Sequence, residues 1–371
     1  MREIGKMRGS RARFLQSIRT DRFEVGAYLY PAPNPMDATR ESTKSNGSQP
    51  RRIGILTAGG DAPGMNAATR AVVRAAALAN IEVVGFRRGY EGLIRDLAEP
   101  LSGRSVANIV QRGGTFLETS RSDEFRTSAA RGLAARNLVR HDIGALIVVG
   151  GEGSMTGATI FSGETGVPAF VIPASIDNDI PGTDYSIGFD TAVNTALEAI
   201  DRIRDTAFAY ERVFCVEVMG RDSGFIAVAV ALGGGAEVVI VPEIPHSLAE
   251  ICNRVEESHR RGKRSSIVVV SEGPRTGGVI PVADALTARL GMPARVVVLG
   301  HVQRGGAPSG RDRLLASRMG VGAVQAILDG APPSLIGEVR GEIVRIALSD
   351  VADRRRTLDP ALIDLVHQLS T

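Results

Sequence analysis

The 371-residue chain predicts a parallel α/β protein built as two successive three-layer units, and three observations carry that expectation. From Arg52 onward, short valine- and isoleucine-rich runs alternate with amphipathic stretches, the order that lays helices on both faces of a parallel sheet. Glycine clusters such as GGDAPG, GGEGS and GHVQRGG close several of these runs, as tight strand-to-helix turns require. Hydrophobic residues make up 43% and aromatics 4%, with 43 glycines and no tryptophan, which suits an aliphatic core with many turns.

RIGILTA, 52–58, is the first strand, and GGDAPG turns it into the helix MNAATRAVVRAAALA. IEVVGF is the next strand, followed by a helix around SVANIVQ, 105–111, and the strand GALIVVGG. PAFVIP leads to the amphipathic helix DTAVNTALEAIDRIRDT, where Val193, Leu197 and Ile200 share one face and Asp190 or Thr191 serves as cap. RVFCVEVMG, EVVIVPE, SSIVVVSEG and RVVVLGHVQ are further strands separated by helices. The two sheets are expected to divide near residues 185–190.

Residues 1–51 read as a flexible basic extension, PAPNPMDATRESTKSNGSQP being its clearest part. MRGSRARFLQSIRT suits a short basic amphipathic helix but has no apolar core of a targeting peptide, and a start at Met36 is an equal reading. Residues 1–52 hold eleven Lys/Arg against five Asp/Glu, so of the net +3 this segment contributes +6 and the remainder −3. The sequence pI of 9.1 is therefore largely a property of the tail and gives no nucleic-acid-binding body. Two cysteines without metal or disulfide spacing fit a cytoplasmic protein, and both are expected to fill space. The longest apolar run, FIAVAVALGGGAEVVIV, is broken by glycines and Glu237, so no membrane span is expected.

Sites in open α/β sheets lie beyond the carboxyl ends of strands. GGDAPGMN can offer backbone N–H groups and a helix N-terminus to a phosphate, or be a tight turn and nothing more. GGEGSMTGA adds Glu152, either a Mg²⁺-facing carboxylate or a solvent-facing turn residue. PASIDNDIPGTDYSIGFDTAVNT, 173–195, crowds Asp177, Asp179 and Asp184 among prolines and glycines, either to hold turns or to handle protons and a metal. Arg212 and Arg221 bracket one strand, as do Arg295 and the pair His301 and Arg304. At about 3.3 Å per residue the ends lie roughly 25–30 Å apart, so one small anion cannot touch both within a chain. Either half are surface charges or a neighbouring subunit completes the sites.

Taken together, TAGGDAPGMNAATRAVVR, GGTFLETSRSDEFR, GGEGS, PASIDNDIPGTDYSIGFDTA, VEVMGRDSG and VLGHVQRGGAPSGRDR resemble the bacterial-type, ATP-dependent 6-phosphofructokinase family from about Arg52 to the C-terminus. The resemblance implies two Rossmann-like αβα lobes. A larger lobe, 52–188 with 301–350, would bind nucleotide and Mg²⁺, and a smaller one, 189–300 with 351–371, the sugar phosphate. It implies Asp177 as the base taking the proton of the sugar's 1-hydroxyl, Asp179 arranging metal and charge, and Ser175, where the family usually has threonine, contacting the transferred phosphoryl. Arg121 would bridge donor phosphates and Arg221 neutralise the transferred group. ATP would lie on Gly60, Arg121, Gly153, Ser154 and Gly157 with Glu152 on Mg²⁺. Fructose 6-phosphate would lie on Met219, Gly220, Arg221, Glu272, His301 and Arg304, with Arg212 and Arg295 reaching into a neighbour of a homotetramer. Arg70, Arg74, Arg204, Glu237, Arg261 and Lys263 match an effector site for ADP or phosphoenolpyruvate, and Asp184 is left as a turn residue.

Several positions depart from the family. Glu152 stands for the usual aspartate, Gly103 for an arginine with Arg104 adjacent, Ser265 for a histidine, and Arg87 where an aromatic often flanks adenine. Pyrophosphate-dependent members typically carry aspartate at Gly153 and lysine at Ala174, and neither is present. A silent regulatory subunit would be marked by loss of Asp177, Arg121 or Arg221, all retained. An NAD-dependent oxidoreductase lacks its GxGxxG after the first strand.

Overall fold

The computed structural model describes residues 50–210, 212–352 and 354–370; the expectations for the N-terminal extension lie outside them. The chain runs β1 (Arg52–Ala58), α1 (Met65–Leu78), β2 (Glu82–Phe86), α2 (Gly89–Arg95), β3 (Ala98–Leu101), α3 (Ser128–Arg140), β4 (Ala145–Gly150), α4 (Glu152–Thr165) and β5 (Ala169–Pro173). It continues through α5 (Phe189–Tyr210), β6 (Val213–Val218), α6 (Phe225–Gly234), β7 (Val238–Ile240), α7 (Leu248–Arg260), β8 (Ser266–Ser271), α8 (Val279–Leu290) and β9 (Arg295–Val298). The last elements are α9 (Gly310–Leu328), β10 (Ser334–Val339), β11 (Glu342–Ala347), α10 (Leu348–Val351) and α11 (Pro360–Leu369). None of the described helices is long and apolar enough to cross a membrane.

Two sheets result: seven strands ordered β11-β10-β5-β4-β1-β2-β3, and four ordered β7-β8-β6-β9. The smaller is parallel throughout. In the larger, β1, β2, β4, β5 and β10 run parallel, while β3 and β11 pair antiparallel at its two edges. Both faces of the central strands are covered, as continuous apolar runs demand. Ile53 and Ile55 of β1 pack into one core with Val72 and Met319, whereas Leu56 and Ala58 face Leu138 and Phe161 on the other side. Val216 and Val218 of β6 join the first of these cores, so one apolar layer spans both sheets. Cys215 and Cys252 fill a third core beneath α7 and α8, and burial pushes the Cys215 thiol up to about 12.

Three expectations need correction. SVANIVQ forms turns rather than a helix: Ser102 and Ser105 exchange side-chain-to-backbone hydrogen bonds, and Asn108 takes a left-handed φ of 57°, local bonding that competes with a helix. Val106 and Ile109 are nevertheless buried, which explains the helix-like apolar spacing. RVVVLGHVQ is extended only to Val298, and Gly300–Arg304 is a 3-10 turn. The start of α5 is held by neither Asp190 nor Thr191 but by the buried Asp312 of α9. Its carboxylate accepts from Gly188 N (2.9 Å), Thr191 N (2.9 Å) and Thr191 Oγ1 (2.5 Å). Asp190 instead accepts from Asn194 and Ser309.

Candidate active site

Loops from the carboxyl ends of both sheets converge on the segment after β5. Its two legs are tied by Ser175 N donating to Ile187 O (3.1 Å) and Ile187 N to Pro173 O (3.0 Å). Between them Asn178 sits in the left-handed region, φ 54°, with its buried amide accepting from Ser186 N (2.8 Å) and donating to Asp184 O (3.2 Å). The Ser175 hydroxyl accepts from Asp177 N (3.2 Å) and donates to Asp179 (3.3 Å), placing both aspartates on one turn. Ser223, after β6, donates to Asp177 O at 2.9 Å.

The half-buried Asp177 carboxyl is pushed up to about 6. Burial is the first cause; Asp179 and Glu272 push the same way, and Arg304 and Arg221 offset them. A carboxyl poised near neutrality in a charged cleft has the properties of a general base. Asp184 holds a turn, accepting from Arg340 N at 2.6 Å, while Asp177 is the perturbed group.

On the β1 side, Thr119 Oγ1 donates to Gly59 O (2.8 Å) and Thr57 Oγ1 to Glu118 O (2.6 Å), which fixes the loop carrying the exposed Arg121. Arg304 Nη1 donates to Asp61 O (3.1 Å) across from the other sheet, and a Cβ at Gly60 would stand 2.8 Å from that atom. Glu152 and Gly153 open α4, where a Cβ on Gly153 would meet nothing within 4 Å. Ser154 is buried beneath this turn, its carbonyl accepting from Tyr90 Oη at 2.6 Å, and Gly157 faces the Tyr90 ring. The half-exposed Glu152 carboxylate has Arg355 at 4.0 Å.

On the other side, Met219 and Gly220 are buried while Arg221 projects from a left-handed φ of 54°. Glu272 N donates to Val218 O at 2.8 Å, which brings the end of β8 beside that of β6. His301 is exposed and Arg304 half-buried on the 3-10 turn after β9. Between them lies the fully buried Gln303, which sequence reasoning missed although it sits inside GHVQRGG. It accepts from Met219 N (2.8 Å) and donates to Ala192 O (3.4 Å), anchoring the turn to the neighbouring loop.

Arg212 and Arg295 are not brought to Asp177. They stand at the amino ends of β6 and β9, where Phe214 is in register with Arg295, whereas Arg221 and Arg304 follow the carboxyl ends of the same strands. Among the effector candidates, Lys263 Nζ pairs with the buried Glu237 at 2.6 Å, and Arg204 donates to the carbonyls of Gly234 and Gly235. Glu237, Arg261 and Lys263 line a cavity of about 810 Å³ with Arg254, Arg289 and His367. Arg70 and Arg74 stand on α1 and do not line it.

Among the described residues no group of three or more His, Cys, Asp or Glu is placed to hold a metal. Mg²⁺ needs none, because it keeps several waters and is shared with substrate phosphates through one or two carboxylates. Asp179 and Glu272 stand near Asp177, and with Glu152 at the mouth of the neighbouring loop these carboxylates fit a cation arriving with its ligand.

Fold and site define a two-sheet α/β protein with a perturbed carboxyl and guanidinium groups between two sets of loops, an arrangement suited to a group-transfer enzyme. Residues 52–327 match the family model described as phosphofructokinase. Over 320 residues, 86% of this chain, it is 53% identical to the ATP-dependent 6-phosphofructokinase 1 of Thermus thermophilus, covering 99% of that protein. It is 47% identical to the ATP-dependent 6-phosphofructokinase of Thermotoga petrophila over the same share of this chain and 100% of the relative. Among solved structures, phosphofructokinase from Saccharomyces cerevisiae superposes with TM-score 0.77 at 34% identity; it covers 86% of this chain, which spans about half, 47%, of the yeast chain. A pyrophosphate-dependent phosphofructokinase from Marinobacter aquaeolei gives TM-score 0.74 at 26% identity, covering 84% of this chain and 86% of that one. The chain belongs to the phosphofructokinase family.

Proposed function

We propose that the protein transfers the γ-phosphoryl of ATP to the 1-hydroxyl of fructose 6-phosphate, giving fructose 1,6-bisphosphate and ADP in the cytoplasm as a step of glycolysis. The observation that carries this reading is Asp177, lifted to about 6 beside Asp179 and Glu272 and flanked by Arg304 and Arg221. Asp177 accepts the hydroxyl proton as the oxygen–phosphorus bond forms and the bond to the β-phosphate breaks, its electron pair leaving with ADP. Ser175 and Asp179 orient the loop, Arg121 bridges the donor phosphates, and Arg221 meets the charge of the transferring group. Gly60, Gly153, Ser154 and Gly157 shape the donor side; Met219, Gly220, Glu272, His301 and Arg304 hold the sugar phosphate. Mg²⁺ bound with ATP would be held by Glu152 and would supply charge neutralisation.

Arg212 and Arg295, at the amino ends of two neighbouring strands of the smaller sheet, are read as completing the 6-phosphate site of a second copy in a homotetramer. Arg204, Glu237, Arg261 and Lys263 are read as half of an effector site for ADP or phosphoenolpyruvate, with Arg70 and Arg74 supplied by another copy. Gly153 and Ala174, without the aspartate and lysine of pyrophosphate-dependent members, support ATP as donor, as do the names of the more similar relatives.

Initial rates with fructose 6-phosphate and Mg²⁺ test the reading: turnover is expected with ATP and not with pyrophosphate, and the reverse would overturn it. Gly153→Asp sharpens the test. The open space around Gly153 admits the side chain without a clash, so folding is unchanged. The added charge at the donor-facing turn should raise the KM for ATP at least about tenfold, equivalent to ~1.4 kcal/mol of repulsion at that site.

A further inference from the structure

The segment RRRT, 354–357, links α10 to α11 and belongs to no motif of the family resemblance. Its ends are anchored, since Leu348 and Val351 of α10 pack into one core and Ile363 and Val366 of α11 into another. In between, the half-buried Arg356 guanidinium lies over the Phe225 ring, 4.6 Å from its centroid, and Nη1 donates to Asn178 O at 3.0 Å. Asn178 is the left-handed residue between Asp177 and Asp179. Phe225 opens α6 directly after the turn from which Ser223 donates to Asp177 O at 2.9 Å. Two consecutive carbonyls of the turn bearing the base, 177 and 178, are thus held by Ser223 and Arg356.

A non-glycine residue with φ near +54° persists only where its surroundings over-determine it. Asn178's side chain ties it within the loop, and Arg356 supplies the tie from outside. The charges that act on Asp177 are those of Asp179, Arg304, Glu272 and Arg221. Those that act on Arg356 are Asp184 and Tyr185. Arg356 meets this turn at a backbone carbonyl, so its tie to the base is made through the backbone.

We propose that Arg356 is a positioning residue for phosphoryl transfer, holding the Asn178 carbonyl so that the Asp177 carboxylate is aimed at the substrate hydroxyl; this rests on the role given to Asp177 above. Losing the tie lets the peptide between Asn178 and Asp179 rotate and misplaces the base, and a displacement of about 1 Å can cost on the order of 100-fold in rate.

The test uses full-length Arg356→Met, which keeps an apolar stem over Phe225, with Arg356→Lys, and Arg354→Met as a control on the same segment. Arg356→Met should lower kcat about 10- to 100-fold with KM for both substrates within about threefold. Arg356→Lys, which keeps a donor, should recover at least half of that loss on a logarithmic scale, and Arg354→Met should match the parent. Amide exchange across 176–180, measured without substrate, should quicken in Arg356→Met while the melting temperature holds. Parent-like kcat and exchange in Arg356→Met would overturn the proposal, as would a kcat loss matched by KM increases or left unrescued by lysine. If the parent turns over no fructose 6-phosphate, the functional reading fails on its own, and the exchange measurement still decides whether Arg356 clamps the turn.

Discussion

Asp177→Asn is expected to lower kcat by about 10²–10⁴, the range that a positioned general base contributes, with KM for both substrates little changed. In the parent, kcat/KM should rise with pH through about 6, because the carboxyl lifted to about 6 must lose its proton to act. The asparagine protein should lose that limb of the profile. Stability moves the other way. The folded pKa of Asp177 lies above its ordinary value of 3.8, so its contribution to stability is present in full below that value and is lost as pH rises through about 6. The substitution removes a charge held beside Asp179 and Glu272, so above pH 6 the variant should resist denaturant better than the parent. Parallel denaturation curves at pH 5 and pH 8 check this: the gap should be larger at pH 8. An asparagine variant with near-parent turnover would remove Asp177 from the mechanism.

Replacing Arg221 by leucine should lower kcat by about 10²–10³, the scale for removing one donor aimed at developing transition-state charge. The same change has a second signature in the pH profile. Arg221 is one of two guanidinium groups holding the Asp177 carboxyl down against burial and two neighbouring carboxylates. Without it the acid limb should move to higher pH, whereas Arg221→Lys should keep most of that electrostatic effect while losing the forked hydrogen bonding. A kcat loss with an unmoved acid limb would mean that the side chain serves binding geometry alone.

Most of the strand framework was legible because buried parallel strands are apolar runs closed by glycine, and RIGILTA, GALIVVGG and SSIVVVSEG fold as read. β3, β10 and β11 of the larger sheet were not. AEPL is short and carries proline, and β10 and β11 join through Arg340 and Gly341, both at positive φ, a two-residue hairpin without the Asn-Gly or Asp-Gly signature. The loop of Asp177 could be found as a crowd of aspartates, and the family resemblance singled out Asp177, but the burial and the Arg304, Glu272 and Arg221 charges that perturb it come from other elements. Gln303 and Asp312 act through hydrogen bonds to residues far away in the chain, and no local pattern announces such a bond. Arg212 and Arg295 show the converse. Strand length alone separates them from Arg221 and Arg304, and the parallel pairing of β6 with β9 sets the two pairs at opposite ends of the strands.

The order of strands in the larger sheet also has a consequence for synthesis. β5 lies inside the finished sheet, yet its outer neighbour is β10, with Ser334 in register with Phe170, and all four strands of the smaller sheet are translated in between. The nascent protein therefore carries the apolar segment AFVIP as an unpaired edge until almost the whole chain has left the ribosome. An exposed apolar strand edge is a template for wrong pairing, so chains cut short before Ser334 should aggregate through β5 even though every loop around Asp177 has already been made.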